Sequence, residues 1–444
     1  MNVARMSHSS KSVNNAWYWT GSVNFVVLCF GCLLFLSMLC MPRTYSEYKI
    51  PLVLLVVGMI FIDIFWSRRL NLHLHVFIWL AVFLTYGLVW VFIGSLNGNP
   101  GIIDYFRLSV LWAMLYGLFI SGSSGKNSIN AIVKMIVLAG LLISFYNIAF
   151  ILKTIGVIPD NFLFNLEMGA NIGIHAGYIQ LTAHNIGTLA FVAPFMFSLL
   201  VFSDDKPILN IKRRTVFLAL LITVSTVIFS GRRILWMNIL ITPMVCYMLC
   251  IFVKNRNRTW NKKLLYTTIS LLMMGMVLFA YFSIYTEWSA DDFVKRFSSL
   301  LEEEDRFLQI SALHEGFAEN PILGTGFGRG VPEVIRSYEK PWVYEMSYNI
   351  MLYNVGIIGI LIYLGCIGWI YHVGLKLADK YPNERPVMLS LLVGMTNFLL
   401  ANATNPYFGS YDFMWTLFLP VAYINYMMLN QDNLSKYIPV PRVA

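Results

Sequence analysis

Apolar runs long enough, or nearly long enough, to cross a bilayer recur along the whole chain. A membrane-spanning helix needs about 20 predominantly apolar residues. The hydrophobic pattern therefore predicts 12 spans, at residues 22–41, 50–66, 74–93, 102–120, 129–151, 185–202, 215–229, 234–253, 264–284, 349–371, 387–401 and 412–429. The runs at 50–66, 215–229 and 387–401 are the shortest. The expected fold class is an all-α, polytopic membrane protein.

Two connecting segments are too long to be simple turns, and long connections of this kind often carry function. They divide the chain into N-terminal spans (1–151), a first loop (152–184), central spans (185–284), a large second loop (285–348) and C-terminal spans (349–444). Within the second loop, Phe307, Ile310, Leu313 and Phe317 recur at helical spacing. This spacing predicts an amphipathic helix over about 305–318.

Lysine and arginine set the expected orientation of the spans, because short cytoplasmic loops carry an excess of positive charge. With the N-terminus inside, 19 of the 32 basic residues fall in inner segments and 11 in outer ones. Six of those 11 lie in the second loop, and long loops escape the rule. Both termini are therefore expected in the cytoplasm, with the two long loops on the outer side.

The composition narrows the class of protein further. The chain is 58% apolar and only 12% charged, which excludes a disordered chain and an ordinary soluble enzyme. The net charge of +9 does not indicate nucleic-acid binding, because the basic residues are spread over short loops and form no continuous face. All six cysteines lie inside apolar runs, where they are expected to pack and not to bind metal or pair as disulfides.

Four features of the outer segments carry candidate chemistry. The turn Ser230-Gly231-Arg232-Arg233 places two arginines where they bind either lipid phosphates as anchors or a substrate anion. The Gly-rich stretch at 324–329 is expected to form a turn, and its N–H groups could approach a phosphate.

The other two features lie in the second loop and involve charged or titratable side chains. Arg306 opens the predicted loop helix, and His314 follows eight residues later on roughly the same face. Glu345 precedes the next span beside several aromatic residues. A carboxylate at a membrane edge acts as a general base on a hydroxyl or is simply an exposed residue in an aromatic belt, and both interpretations stay open.

These stretches together resemble the O-antigen ligase and polymerase superfamily of membrane glycosyltransferases. The resemblance lies in TAHNIGTLA (182–190), FSGRRILW (229–236), RFLQISALHEGFAENPILGTGFGRG (306–330) and EMSYNIMLYNVGIIGILIYL (345–364), taken in this order with about 12 spans. It implies a GT-C-like fold and inverting, metal-independent glycosyl transfer without a cofactor. It also implies undecaprenyl-pyrophosphate glycans as donor and acceptor.

Roles carry over from the resemblance by position. Arg233 takes the place of the family's turn arginine, and Arg306 that of the arginine before the loop helix. Glu345 stands where the ligases have a catalytic histidine, which favours a Wzy-type polymerase over a ligase. Catalysis is therefore expected from Glu345, Arg306 and Arg233. Substrate contacts are expected from Arg232, Arg329, His184, His314 and Tyr348.

The sequence thus predicts a polymerase of lipid-linked oligosaccharide repeat units, of O-antigen or a related surface polysaccharide. It is expected in the bacterial inner membrane, with its site facing the periplasm. Its expected partners are the lipid-linked substrates, membrane lipid and a chain-length regulator, with no nucleic acid. The alternatives are a ligase that transfers glycan to lipid A core, a lipid-linked glycan transporter and a regulatory partner of a polysaccharide machine.

Overall fold

The structure is a computed structural model, and it describes residues 17–67, 70–154, 156–159, 171–175, 178–203, 209–254, 259–286, 304–431 and 434. Parts of both predicted outer loops, 160–170 and 287–303, lie outside these residues, as do both chain ends. The predicted location of the termini therefore stays a prediction.

Helices make up most of the described chain, because each apolar run satisfies its own backbone hydrogen bonds as a helix. The first half contains α1 (Trp17–Cys40), α2 (Ser46–Ser67), α3 (Leu74–Leu96), α4 (Ile102–Phe106), a π-helical turn (Arg107–Trp112), α5 (Ala113–Gly122) and α6 (Lys126–Thr154). The second half contains α7 (Ile186–Phe202), α8 (Arg213–Phe229), α9 (Arg233–Phe252), α10 (Thr259–Thr286), α11 (Glu304–Glu319), α12 (Ser347–Lys380), α13 (Arg385–Asn402) and α14 (Trp415–Leu429).

A short antiparallel hairpin precedes α7. Its strands, β1 (Asn171–His175) and β2 (Tyr178–Thr182), pair with Asn171 opposite Thr182 and His175 opposite Tyr178. The hairpin lies in the first predicted loop, which the hydrophobic pattern left without regular structure. It ends just before His184, so it positions the segment that enters α7.

Among the described residues, six helical segments are long and apolar enough to cross a membrane, namely Ser46–Trp66, Leu74–Leu96, Ile102–Gly122, Lys126–Thr154, Arg233–Phe252 and Ser347–Lys380. Three shorter apolar segments join them in the described residues, at Phe25–Cys40, Ile186–Phe202 and Trp415–Leu429. By length and composition these helices mark the chain as a polytopic membrane protein. Each of the 12 predicted spans overlaps a described helical segment, but only six of the described segments are long and apolar enough to cross a membrane, so the number of 12 spans stays a prediction.

The core is built around α7, which is buried along its whole length. Its most extensive contact is with α13, which is itself mostly buried. Gly394 lets the two helices approach closely, because a Cβ there would lie 2.8 Å from the Phe191 ring. Small residues allow the same close contact between helices in other membrane proteins.

Large apolar side chains remain exposed on the outer helices, for example Leu54 on α2 and Phe92 on α3. Lipid would cover these side chains.

The loop helix was predicted over 305–318 and is found as α11, Glu304–Glu319. Only part of its apolar face is buried. Leu313 is fully buried against Val331, Tyr344, Ile350 and Tyr353, whereas the side chain of Phe307 is 71% exposed. The helix is therefore fixed to the start of α12 through its middle, and this contact places Arg306 near Glu345.

Candidate functional site

The predicted outer segments meet at one end of the helices. There Gly101 N–H donates to Gly328 O at 3.0 Å, and Leu181 N–H donates to Ser230 O at 3.1 Å. The predicted inner segments meet at the other end, where Asn430 Nδ2 donates to Ser124 O at 3.3 Å. This separation follows from alternating helix directions, and it brings residues from distant parts of the sequence into one group of loops.

Glu345 is held between two arginines at the first of these ends, which we call the predicted outer end. Its Oε2 lies 2.9 Å from Arg306 Nε, and its Oε1 lies 2.8 Å from Arg336 Nη2. Its backbone N–H donates to Gln309 Oε1 at 3.1 Å, which ties it to α11 as well. Each carboxylate oxygen thus faces one guanidinium, so the cluster Arg306–Glu345–Arg336 carries one net positive charge.

A cavity of about 540 Å³ lies beside this cluster, and Arg336 lines it. Arg43 and Lys340 add positive charge to its wall, and Lys340 Nζ lies 2.9 Å from Asp104 Oδ2. Aromatic rings of Tyr105, Trp342 and Tyr411 also line it. Part of the wall is the π-helical turn, and such turns occur frequently at functional sites. The cavity therefore combines cationic groups with flat ring surfaces of the kind on which sugars stack.

A second positive group lies around Arg43. Partial burial lowers the pKa of His184, and the positive charges of Arg43 and Arg232 lower it further. Partial desolvation likewise lowers the pKa of Arg43, which still exposes part of its surface, and the like charges of Arg336 and Arg232 add to this effect. The Nε atom of Arg232 is buried without a hydrogen-bond partner. Like charges gathered in this way favour the binding of an anion.

The structure places the predicted site residues in several different surroundings. Arg306 and Glu345 are in direct contact, and Arg232 acts on His184 through its charge. Tyr348 lines the cavity, and its hydroxyl donates to Leu399 O at 2.7 Å.

Three of the predicted residues lie elsewhere in the outer region. His314 is exposed on α11, 3.4 Å from Asn349 Nδ2, and Arg329 is exposed at the end of the Gly-rich turn. Arg233 is partly buried at the first position of α9. For every predicted site residue, a role in catalysis or substrate binding stays a prediction.

Two arginines of the site were not singled out from the sequence, Arg43 and Arg336. Both were counted among the outer basic residues, but no role was assigned to them. A usable signal exists only for Arg43, because it lies in a short predicted outer loop, where an arginine runs against the positive-inside bias. Arg336 lies in the long second loop, which escapes that rule, and both arginines line the cavity.

The Gly-rich turn acts as a structural clamp. The N–H groups in its first half bond to other helices, because Thr325 donates to Tyr353 O at 3.1 Å, Gly326 to Asn354 O at 2.9 Å and Phe327 to Trp90 O at 3.0 Å. The carbonyl of Phe327 in turn accepts from Asn99 Nδ2 at 3.0 Å. The turn thereby fastens the end of α3 to α12.

The clamp depends on a glycine at the kink of α12. Gly356 has a φ of 62°, and a Cβ there would lie 2.4 Å from Ile322 O. Only glycine adopts this backbone conformation readily. The two residues after it continue the contact, since Ile357 N–H donates to Pro321 O and Ile358 N–H to Ile322 O.

Within the described residues, no group of three or more His, Cys, Asp or Glu side chains is arranged to hold a metal ion. No family model matches the chain. Curated proteins likewise provide no match. The fold alone defines the class, a polytopic helical membrane protein.

Proposed function

We propose that the protein is a membrane glycosyltransferase that polymerises lipid-linked oligosaccharide repeat units at the outer face of the inner membrane. The observation that carries this proposal is the position of Glu345 between Arg306 and Arg336 at the edge of the cavity. A carboxylate beside arginines combines a proton acceptor with groups that stabilise a leaving anion.

The reaction would join two sugars and release a diphosphate. A hydroxyl oxygen of the acceptor attacks C1 of the donor sugar, and the bond from C1 to the diphosphate oxygen breaks with inversion. The bonding electrons leave with the lipid diphosphate, and the hydroxyl proton passes to Glu345. Arginine side chains stabilise the charge that develops on the leaving oxygen, because guanidinium groups bind phosphate oxygens in a planar, two-point manner.

The arginines of the cluster have to change partner during this reaction. In the structure each oxygen of Glu345 is bound by a guanidinium. A diphosphate offers more charge and more acceptor oxygens than one carboxylate, so it competes for Arg306 and Arg336. Its binding then releases Glu345 to accept the hydroxyl proton. Glu345 can therefore accept a proton only when the donor diphosphate is bound to the arginines.

The resemblance to the O-antigen ligase and polymerase superfamily supports this assignment, and it favours the polymerase within that superfamily. The outer segments that carry the resemblance contain both partners of the ion pair, Arg306 and Glu345. In ligases the position of Glu345 is occupied by histidine, so its replacement by a carboxylate points away from transfer to lipid A core. Exposed apolar helix faces beside the cavity would bind the polyprenyl tails.

The test is reconstitution of the full chain with synthetic undecaprenyl-pyrophosphate repeat units. A ladder of polymer is expected on a gel from the wild-type protein, and Glu345→Gln should reduce its rate by roughly 10²–10⁴-fold, the usual range for loss of a general base. The matched control is Glu319→Gln, which changes an exposed glutamate at the end of α11.

Other outcomes would contradict the proposal in distinct ways. A single product that forms only with lipid A core would identify a ligase. Movement of intact lipid-linked units across vesicles without any new glycosidic bond would identify a transporter. Equal rates for the wild type and Glu345→Gln would remove Glu345 as the base while leaving polymerisation itself in place.

A further inference from the structure

We propose that Arg43 and Arg336 are two arms of a diphosphate-binding site inside the cavity, an inference that rests on the proposed function and extends it to residues outside the resemblance. The two arginines come from opposite parts of the chain, the turn after α1 and the second loop. Both line the same cavity. Their role would be to grip the diphosphate of a lipid-linked substrate.

Arg43 is held in a fixed and costly conformation. Its φ is 65°, a left-handed value that is unfavourable for a non-glycine residue and persists only where the surroundings enforce it. Its backbone N–H donates to Asp412 Oδ2 at 2.8 Å, and its Nη2 donates to Pro406 O. Its guanidinium also lies 5.8 Å from the centre of the Phe413 ring. Strained residues of this kind concentrate at functional sites.

The charge of Arg43 is not neutralised by Asp412, even though the two are in contact. Asp412 Oδ1 is 2.9 Å from Lys49 Nζ, so this carboxylate is already paired with a second cation. Another acid nearby, Glu345, is shared between Arg306 and Arg336, and Asp104 of the cavity wall is paired with Lys340. Arg232 and Arg336 both act on Arg43 as like charges, so positive charge is in excess around Arg43. An anion bound in the cavity would offset this excess.

The shape of the cavity favours a diphosphate that carries an apolar group. Its volume of about 540 Å³ exceeds what a phosphate alone requires. Apolar side chains of Phe83, Leu417 and Phe418 also line it. Cationic groups therefore occur together with apolar surface in a single cavity. That combination fits a prenyl diphosphate better than the monoanionic head group of a phospholipid.

Direct binding tests the inference without relying on catalysis. Titration calorimetry on the purified full chain in detergent would use inorganic pyrophosphate and farnesyl pyrophosphate as probes. The wild type should bind both, and farnesyl pyrophosphate more tightly. Arg43→Gln and Arg336→Gln should each weaken binding of both probes at least about tenfold, the scale of one lost charge-assisted hydrogen bond. Arg43→Lys should recover only part of the loss, since lysine lacks the planar fork.

The matched control is Arg214→Gln, which removes an exposed arginine from the opposite end of the helices and should leave binding unchanged. Unfolding midpoints of all variants identify any that fail to fold, and for such a variant Arg43→Lys provides the comparison. Wild-type affinity for pyrophosphate in both glutamine variants would overturn the inference. Displacement of pyrophosphate by an equal concentration of phosphatidylglycerol would overturn it as well, because the site would then be a phospholipid site.

Failure of the inference and failure of the proposed function give different results. If pyrophosphate binding depends on Arg43 but repeat units are never joined, the diphosphate site stands and the polymerase assignment falls. If polymer forms equally fast in the wild type and in Arg43→Gln, the assignment stands and the role of Arg43 falls.

Discussion

Two ion pairs at the predicted outer end have the same N···O distance and very different surroundings. Lys49 Nζ and Asp412 Oδ1 are 2.9 Å apart, with side chains 3% and 0% exposed. Arg306 Nε and Glu345 Oε2 are also 2.9 Å apart, with side chains 24% and 27% exposed. The first pair joins the start of α2 to the turn before α14. The second pair joins α11 to the segment before α12, beside the cavity.

The difference in burial separates a structural contact from an exchangeable one. Lys49 is also bonded to Met41 O, and Asp412 also accepts from the Arg43 backbone, so the buried pair is fully enclosed by protein partners. In the half-exposed cluster, incoming oxygen atoms can reach the guanidinium groups. A buried charge has no alternative partner, whereas a charge beside a cavity can change from a carboxylate to a phosphate.

The largest effect is expected from breaking the buried pair. Lys49→Met should lower the free energy of unfolding by about 3–5 kcal/mol, because it leaves the Asp412 carboxylate buried beside an apolar group. Thermal unfolding in detergent would measure it. The double variant Lys49→Met/Asp412→Leu should recover most of the loss, since no uncompensated charge remains. An unchanged midpoint in the single variant would show that the pair is not structural.

The intermediate case is Arg306→Ala, which should affect the reaction more than the fold. The rate of polymer formation should fall by roughly 10²–10³-fold, as for other losses of one group that stabilises a developing anion. The free energy of unfolding should change by less than about 1 kcal/mol, because the pair is partly solvated and Glu345 keeps Arg336. Arg306→Lys is the control that keeps the charge. A midpoint shift as large as that of Lys49→Met would remove the distinction between the two pairs.

The smallest effect is expected at the most exposed pair, Lys340 with Asp104, whose side chains are 57% and 35% exposed. Lys340→Met should change the free energy of unfolding by about 0–1 kcal/mol, since water solvates both charges when the contact is lost. The same unfolding measurement applies, with Asp104→Asn as the reciprocal variant. A loss above 2 kcal/mol exceeds the range for exposed pairs. It would show that the contribution of an ion pair to stability does not follow its burial here.

Much of the helical architecture followed from the sequence. Long apolar runs have to become helices in a membrane, so the positions of α3, α6 and α12 were predictable from hydropathy. The amphipathic spacing of Leu313 and its neighbours likewise predicted α11. These features depend on the residues of one segment, which is why the local pattern suffices to predict them.

The site was predictable only in part. Arg306 and Glu345 were expected to act together, and they are in contact. Arg336 was not expected between Glu345 and the cavity, because no pattern relates it to Glu345 nine positions away. The stretch at 324–329 was expected to form a turn, but its N–H groups at 325–327 bond to carbonyls of α12 and α3, which no local pattern indicates. These contacts depend on the tertiary positions of the loops, which no local sequence pattern specifies.

The sequence by itself determined that the chain forms apolar helices, with most of its charged residues in the segments between them. Only the tertiary structure decided which charges meet, because Arg43 and Arg336 are almost 300 positions apart and reach one cavity through the packing of helices between them. Burial likewise belongs to the folded molecule, since Lys49 and Lys340 are the same residue type, yet one is enclosed and the other faces water. Hydropathy is a property of each segment, whereas electrostatic environment depends on all the segments that surround a group.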